Sequence, residues 1–248
     1  HIVSETNQAG YIGTIGGDCN TDGTITLTVG QNKTCTITND DEPGTLTIVK
    51  NTVGGDGTFN YTISGPTSTS TSVATSNLTS SSTVTINAGI YSLSETGQYG
   101  WDLTSVICDN GTTNGNTVSS INVPLAGNVT CTFTNTKRGS ITVHKNVLAP
   151  DEVADVTDNH SFNITLDGNN QKSINENSPI TYNNLVPGTY TIAEIGDPDF
   201  DLLSINNDSD PETPGSQVVV TAGTTTDITI TNKQKQGHLT VIKIVNNP

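Results

Sequence analysis

A chain of tandem β-sandwich repeats, all-β and strung head to tail, is predicted by three observations. Thr- and Val-rich segments are punctuated by Gly, Asn and Pro, the marks of short strands joined by turns. No stretch sustains a 3.6-residue apolar period, so helix content should be close to nil. Three sets of matching segments recur in constant order, with a period of about 95 residues.

The first pattern is GTLTIVKN (44–51), GSITVHKN (139–146) and GHLTVIKI (237–244). The second is HIVSET (1–6), YSLSET (91–96) and YTIAEI (190–195), each followed by an aromatic at Tyr11, Trp101 or Phe200. The third is CTITN (35–39), CTFTN (131–135) and ITITN (228–232). Residues 44–138 and 139–235 therefore read as complete repeats. Residues 1–43 read as the last part of an earlier repeat, and 236–248 as the first strand of a later one. The very short connection at Thr136–Arg138 predicts a stiff string.

Composition excludes several classes. Net charge is −15, from 24 acidic against 9 basic residues, which repels phosphate backbones and anionic membrane surfaces. Nucleic acid is not an expected partner. Only 31% of residues are hydrophobic and 4% aromatic, and no apolar run is long enough to span a bilayer, so no membrane insertion is expected in this segment. With no Met, no leader and no sorting signal, the sequence reads as a segment of a longer chain.

Side chains alternate faces along a strand, so each repeated strand sorts into an inner and an outer series. In the first strand Leu46 and Ile48 lead to Lys50, Ile141 and Val143 to Lys145, and Leu239 and Val241 to Lys243. In the second, Tyr91 and Leu93 lead to Glu95, and Tyr190 and Ile192 to Glu194; Glu5 is the matching residue of the first segment. In the third, Phe133 precedes Asn135, Ile230 precedes Asn232 and Ile37 precedes Asn39. The outer series is mostly Ser and Thr. Each complete repeat thus turns one Lys, one Glu and one Asn inward, where an unpaired polar group costs several kcal/mol. Two readings fit this pattern: a partly buried Lys–Glu ion pair at the sandwich end, or side chains that snorkel to solvent past the last apolar layer.

These motifs resemble the collagen-adhesin B-type and SpaA-type domains of Gram-positive pilins and surface adhesins. The resemblance rests on Lys50, YSLSETGQYGW (91–101) and TNTK (134–137) in one repeat, and on Lys145, YTIAEIGDPDF (190–200) and TNKQK (231–235) in the next. The second glutamate motif departs from the family pattern in having no Gly before its aromatic. The resemblance implies an immunoglobulin-like, transthyretin-like sandwich. It also implies an intramolecular isopeptide bond from Lys50 to Asn135 and from Lys145 to Asn232, with Glu95 and Glu194 as catalysts. Glu5, Asn39 and Lys243 are the matching residues of the incomplete repeats. The chemistry suits burial, which leaves a lysine as the neutral, nucleophilic amine and a carboxylic acid in its protonated form. Lys lies on the strand where tension would enter a repeat and Asn on the strand where it would leave. A covalent link between them would carry load past the rest of the sandwich.

Four cysteines fall two per repeat, Cys19 with Cys35 and Cys108 with Cys131, while the third repeat has Asn207 and Ile228 at those places. Joint loss argues for pairing, and disulfides imply an extracellular or cell-surface location. No cofactor is expected. Asp18, Asn20 and Asp22 imitate the start of a calcium loop, but Val29 stands where its bidentate Glu belongs; Asp197, Asp199, Asp201, Asp208 and Asp210 form a second acidic cluster, for which solvated loops are the ordinary reading. Eight N-x-S/T sequons are about what this composition yields by chance. The function expected is a structural shaft: a pilus, filament or adhesin stalk whose partners are further repeats or identical subunits. A ligand-binding adhesin, or a subunit that polymerises by donor-strand exchange, is the alternative.

Overall fold

The computed structural model describes residues 1–151, 159–207, 217–237 and 239–245. These residues hold 19 strands and no helix. The chain divides into two compact units, His1–Thr136 and Lys137–Pro248.

The first unit opens with a hairpin-like pair, β1 (Tyr11–Gly17) and β2 (Cys35–Asp41), antiparallel with Ile15 opposite Ile37. Nine strands follow: β3 (Gly44–Val53), β4 (Thr58–Ser64), β5 (Thr69–Ala74), β6 (Thr79–Ile86), β7 (Gly89–Glu95), β8 (Trp101–Cys108), β9 (Thr112–Asn114), β10 (Thr117–Val123) and β11 (Asn128–Lys137). They form two sheets, in the orders β6-β3-β11-β8 and β5-β4-β7-β10-β9. The first and last strands of the sandwich, β3 and β11, are parallel neighbours, with Lys50 opposite Phe133.

The second unit repeats this plan with β12 (Gly139–Leu148), β13 (Phe162–Leu166), β14 (Asn169–Ile174), β15 (Ile180–Leu185), β16 (Gly188–Glu194), β17 (Phe200–Asn207), β18 (Gln217–Val220) and β19 (Thr225–Gln234). Its sheets are β15-β12-β19-β17 and β14-β13-β16-β18. Here β12 and β19 are the parallel pair, with Lys145 opposite Ile230. Among the described residues the two sandwiches correspond strand for strand, apart from the edge strand β9.

Alternation builds both cores. Along β3 and β12 every second residue is buried, and Leu46, Ile48, Ile141 and Val143 are inaccessible. They face Phe59, Ile63, Leu93 and Ile121 in the first sandwich and Phe162, Ile164, Ile192 and Val218 in the second. Full burial of each such side chain stabilises the fold by about 1.5–3 kcal/mol. The opposite face pairs hydroxyls across strands, Thr47 with Thr83 at 3.0 Å and Thr142 with Thr181 at 3.2 Å. The glycine that begins the repeated first strand has a steric cause. A Cβ on Gly44 would lie 2.6 Å from the Pro124 carbonyl oxygen, and one on Gly139 would lie 2.7 Å from that of Thr221.

The outer segments depart from the alternation argument. Ile37, assigned inward by its pattern, is 41% exposed, and Asn39 is exposed too, because no second sheet covers the β1–β2 pair. HIVSET makes only an isolated bridge, Ile2 with Thr24. In the tail Leu239 and Val241 are exposed, and no strand occurs among its described residues. His238 and residues 246–248 of that segment, like Asp208 and Asp210, lie outside the described residues.

Candidate functional site

Each sandwich carries a buried polar triad at the end of its apolar layers. In the first, Lys50 sits on β3, Glu95 ends β7 on the facing sheet, and Asn135 lies on β11. Lys50 Nζ donates to Glu95 Oε2 at 2.7 Å and to Asn135 Oδ1 at 2.6 Å, while Asn135 Nδ2 donates to Glu95 Oε1 at 2.5 Å. The three side chains close a ring of hydrogen bonds, all of it buried. In the second sandwich Lys145 Nζ meets Glu194 Oε2 at 2.6 Å and Asn232 Oδ1 at 2.5 Å, and Asn232 Nδ2 meets Glu194 Oε1 at 2.5 Å. The absent Gly before Phe200 leaves this geometry intact.

The snorkelling alternative does not hold, since the Lys50 and Lys145 side chains are 0% exposed and their glutamates 2%. The cause is the position of the Lys strand. β3 and β12 are interior strands of their sheets, and each lysine is on the inward face, so its head meets Glu95 or Glu194 of the facing sheet and not solvent. Burial pushes the Lys50 amine below its ordinary pKa of 10.5, against the opposing pull of Glu95. Lys145 is lowered for the same reason, although Glu194, Glu176 and Asp197 oppose it.

An aromatic floor lies beneath each amine. Lys50 Nζ is 4.1 Å from the Phe59 ring centroid, and Lys145 Nζ is 4.0 Å from that of Phe162. Trp101 meets Phe59 edge-on at 5.2 Å, and Phe200 meets Phe162 likewise at 5.0 Å. The aromatic that follows each glutamate motif thus walls the lysine pocket from the side. His160 adds a further ring against Phe162 and Phe200, with its Nε2 2.7 Å from Asp197 Oδ2.

Sequence reasoning missed Phe59, Phe162 and one more contact, Tyr61. The Tyr61 hydroxyl donates to Glu95 Oε2 at 2.9 Å. A signal was present: FNYTI (59–63) and FNITL (162–166) are a fourth repeated pattern, with the ring at the same place in both.

The remaining candidates are dispersed. In the first segment Asn39 Nδ2 donates to Glu5 Oε1 at 2.6 Å, so that glutamate and asparagine meet as they do in the complete sandwiches. Lys243 is exposed in the tail of the second unit. Cys19–Cys35 and Cys108–Cys131 are disulfides. In the second sandwich the corresponding residues, Asn207 and Ile228, stand directly opposite in register, which accounts for their joint replacement. Asp22 accepts from the Thr24 backbone and hydroxyl, Asn20 donates to Thr24, and Asp18 accepts from the Thr34 amide. Their polar atoms are committed to the turn, and no group of three or more candidate metal ligands occurs among the described residues. No helix among them is long and apolar enough to cross a membrane.

Residues 46–137 match the family model of a prealbumin-like fold domain of the SpaA type. That match spans the first complete sandwich. The second shares its strand order, its parallel terminal strands and its triad. Comparison with curated protein sequences returns no match. Among solved structures, the chain is similar to the Bacillus anthracis TIE protein, at 16% identity and a TM-score of 0.34, over 82% of this chain and only 37% of that one. It is similar to the major pilin of Streptococcus pyogenes at 15% identity and a TM-score of 0.29, over 77% and 98% of the two chains. A Mobiluncus mulieris adhesin containing intramolecular disulfide, isopeptide and ester cross-links is similar at 13% identity and a TM-score of 0.31, over 90% and 99%.

Proposed function

We propose that this chain is a structural segment of an extracellular filament, pilus or adhesin stalk. In this reading each SpaA-type sandwich is stitched by a self-formed isopeptide bond, Lys50 to Asn135 and Lys145 to Asn232. The observation that carries the reading is the duplicated triad: an amine of lowered pKa, a carboxamide and a carboxyl group in mutual contact and buried, with the amine and the carboxamide on the two terminal strands of the domain. A charged cluster serving stability alone is a poor use of such a site, because a buried ion pair often does no better than apolar residues of the same volume.

The chemistry balances without a cofactor. The Lys50 Nζ lone pair attacks Asn135 Cγ, protonated Glu95 gives its proton from Oε1 to the amide nitrogen and takes one from Nζ at Oε2, the Cγ–Nδ2 bond breaks, and ammonia leaves. The sum is amine plus primary carboxamide giving secondary amide plus ammonia. Folding holds the reactants together, which supplies most of the acceleration, and the walls of Phe59 and Trp101 keep the amine unsolvated. Glu95 is regenerated but its partners are consumed, so there is one turnover and no enzyme in the ordinary sense. Disulfides in the first unit support an oxidising compartment, outside the cell or at its surface. Its partners are further repeats or identical subunits.

Intact-mass measurement tests the reading. The chain should be lighter than its sequence mass by one ammonia per complete sandwich, after allowance for the disulfide hydrogens; an unmodified mass would sink it.

A further inference from the structure

The two triads differ in the residue that faces the glutamate. In the first sandwich Tyr61 faces Glu95 across the β4–β7 pair, and in the second Ile164 faces Glu194 at the equivalent position of β13–β16. Tyr61 is 1% exposed, meets Phe133 edge-on at 5.1 Å, and gives its hydroxyl hydrogen to Glu95 Oε2 at 2.9 Å. In the second sandwich the buried Tyr182 gives its hydroxyl hydrogen to the Ile164 carbonyl instead.

We infer that Tyr61 is a positioning residue for bond formation in the first sandwich, fixing which oxygen of Glu95 carries the transferred proton; this rests on the stitch reading above. Oε2 already accepts from Lys50 and Tyr61, so it is the oxygen best able to hold negative charge. A proton on Glu95 is then directed to Oε1, which touches the Asn135 nitrogen that must depart as ammonia. Burial and the adjacent Glu95 push the Tyr61 phenol well above its ordinary pKa, so it remains a donor throughout. Among the described residues Glu194 has no such second donor from its facing strand, and its two oxygens meet Lys145 and Asn232. The Glu95 backbone is also fixed, through Asn116, which accepts its amide hydrogen and donates to its carbonyl.

The test follows both links in one molecule. The full chain is made by cell-free translation under oxidising conditions, quenched at intervals in acidic denaturant and digested. The Lys50–Asn135 and Lys145–Asn232 cross-linked peptides are then quantified by mass spectrometry across a range of pH. Tyr61→Phe removes the hydroxyl and keeps the ring. It should slow the first link by roughly tenfold or more, as expected for a lost hydrogen bond to a charged group. Fluorotyrosine at position 61, which keeps a donor of nearly the same size, should restore the rate. The second link in the same molecules should not change, and the Cys108–Cys131 peptide reports that the first sandwich has folded. A first link formed at the unsubstituted rate in Tyr61→Phe, or one slowed equally by fluorotyrosine, overturns the role of Tyr61 and leaves the stitch standing. Absence of both links in the unsubstituted chain overturns the stitch and this inference together.

Discussion

The Phe59 ring stands 4.1 Å beneath the Lys50 amine, and Phe162 stands under Lys145 in the same way. Such a ring attracts an ammonium ion, while removal from water lowers the lysine pKa against the pull of the neighbouring glutamate. Phe59→Leu should therefore do two things. It should cost the fold on the order of 1–3 kcal/mol through the cavity it leaves, and it should slow the Lys50–Asn135 link by admitting water to the amine. Timed mass spectrometry on the two links, with the second as internal reference, checks both the size and the selectivity.

Each glutamate should act only within its own sandwich. Glu95→Ala should abolish ammonia loss at Asn135 and leave it at Asn232, and Glu194→Ala should do the reverse. Peptide mapping of the two variants decides this; a loss of both links from one substitution would mean that the triads are not independent.

Removing the nucleophile should be worse than removing the pair. Lys50→Met strands the Glu95 carboxyl in an apolar layer, at a cost of about 3–5 kcal/mol to the unlinked fold. Lys50→Met with Glu95→Gln should recover much of that loss, since a neutral amide still meets Tyr61 and Asn135. Thermal unfolding of the two variants gives the comparison.

Stability of an unlinked chain should rise toward alkaline pH. In Asn135→Ala no bond can form, and Lys50 keeps a folded-state pKa below its unfolded value of about 10.5. Between those two values the unfolded chain binds more protons than the folded one, so unfolding free energy increases with pH and levels off above the upper value. Denaturant titrations from neutral to alkaline pH should show the slope, and a Lys50→Met, Asn135→Ala background should abolish it.

A third disulfide should be accepted where the second sandwich lacks one. Asn207→Cys with Ile228→Cys places two thiols on residues that are direct partners in the β17–β19 register. By the loop-entropy scale the closure is worth about 3 kcal/mol, and the paired variant should melt higher when oxidised than when reduced.

Much of this site could be read from the sequence, for a definite reason. Strand alternation has a period of two, so a Lys, Glu or Asn that continues an apolar series stands out, and Lys50, Glu95, Asn135 and their counterparts are found where that rule put them. The cysteine pairs were legible because the third repeat lost both members of one register pair. Tyr61 was not, because a tyrosine on an inner face reads as core, and its hydroxyl acquires meaning only from a strand 34 residues away. Ile37 failed the rule for the opposite reason: alternation says which residues share a face, not whether a second sheet exists to cover it. The missing Gly before Phe200 proved immaterial, since the ring still reaches Phe162.

The parallel contact of β3 with β11 has a further consequence once the amide forms. Lys50 and Asn135 are 85 residues apart in sequence, yet the covalent path from one end of the domain to the other then passes straight between them. The intervening chain becomes a closed loop hung beside the main line. A single backbone cut anywhere in that loop would leave the strand of repeats in one piece, so a filament of such units would tolerate nicking at nearly all of its peptide bonds.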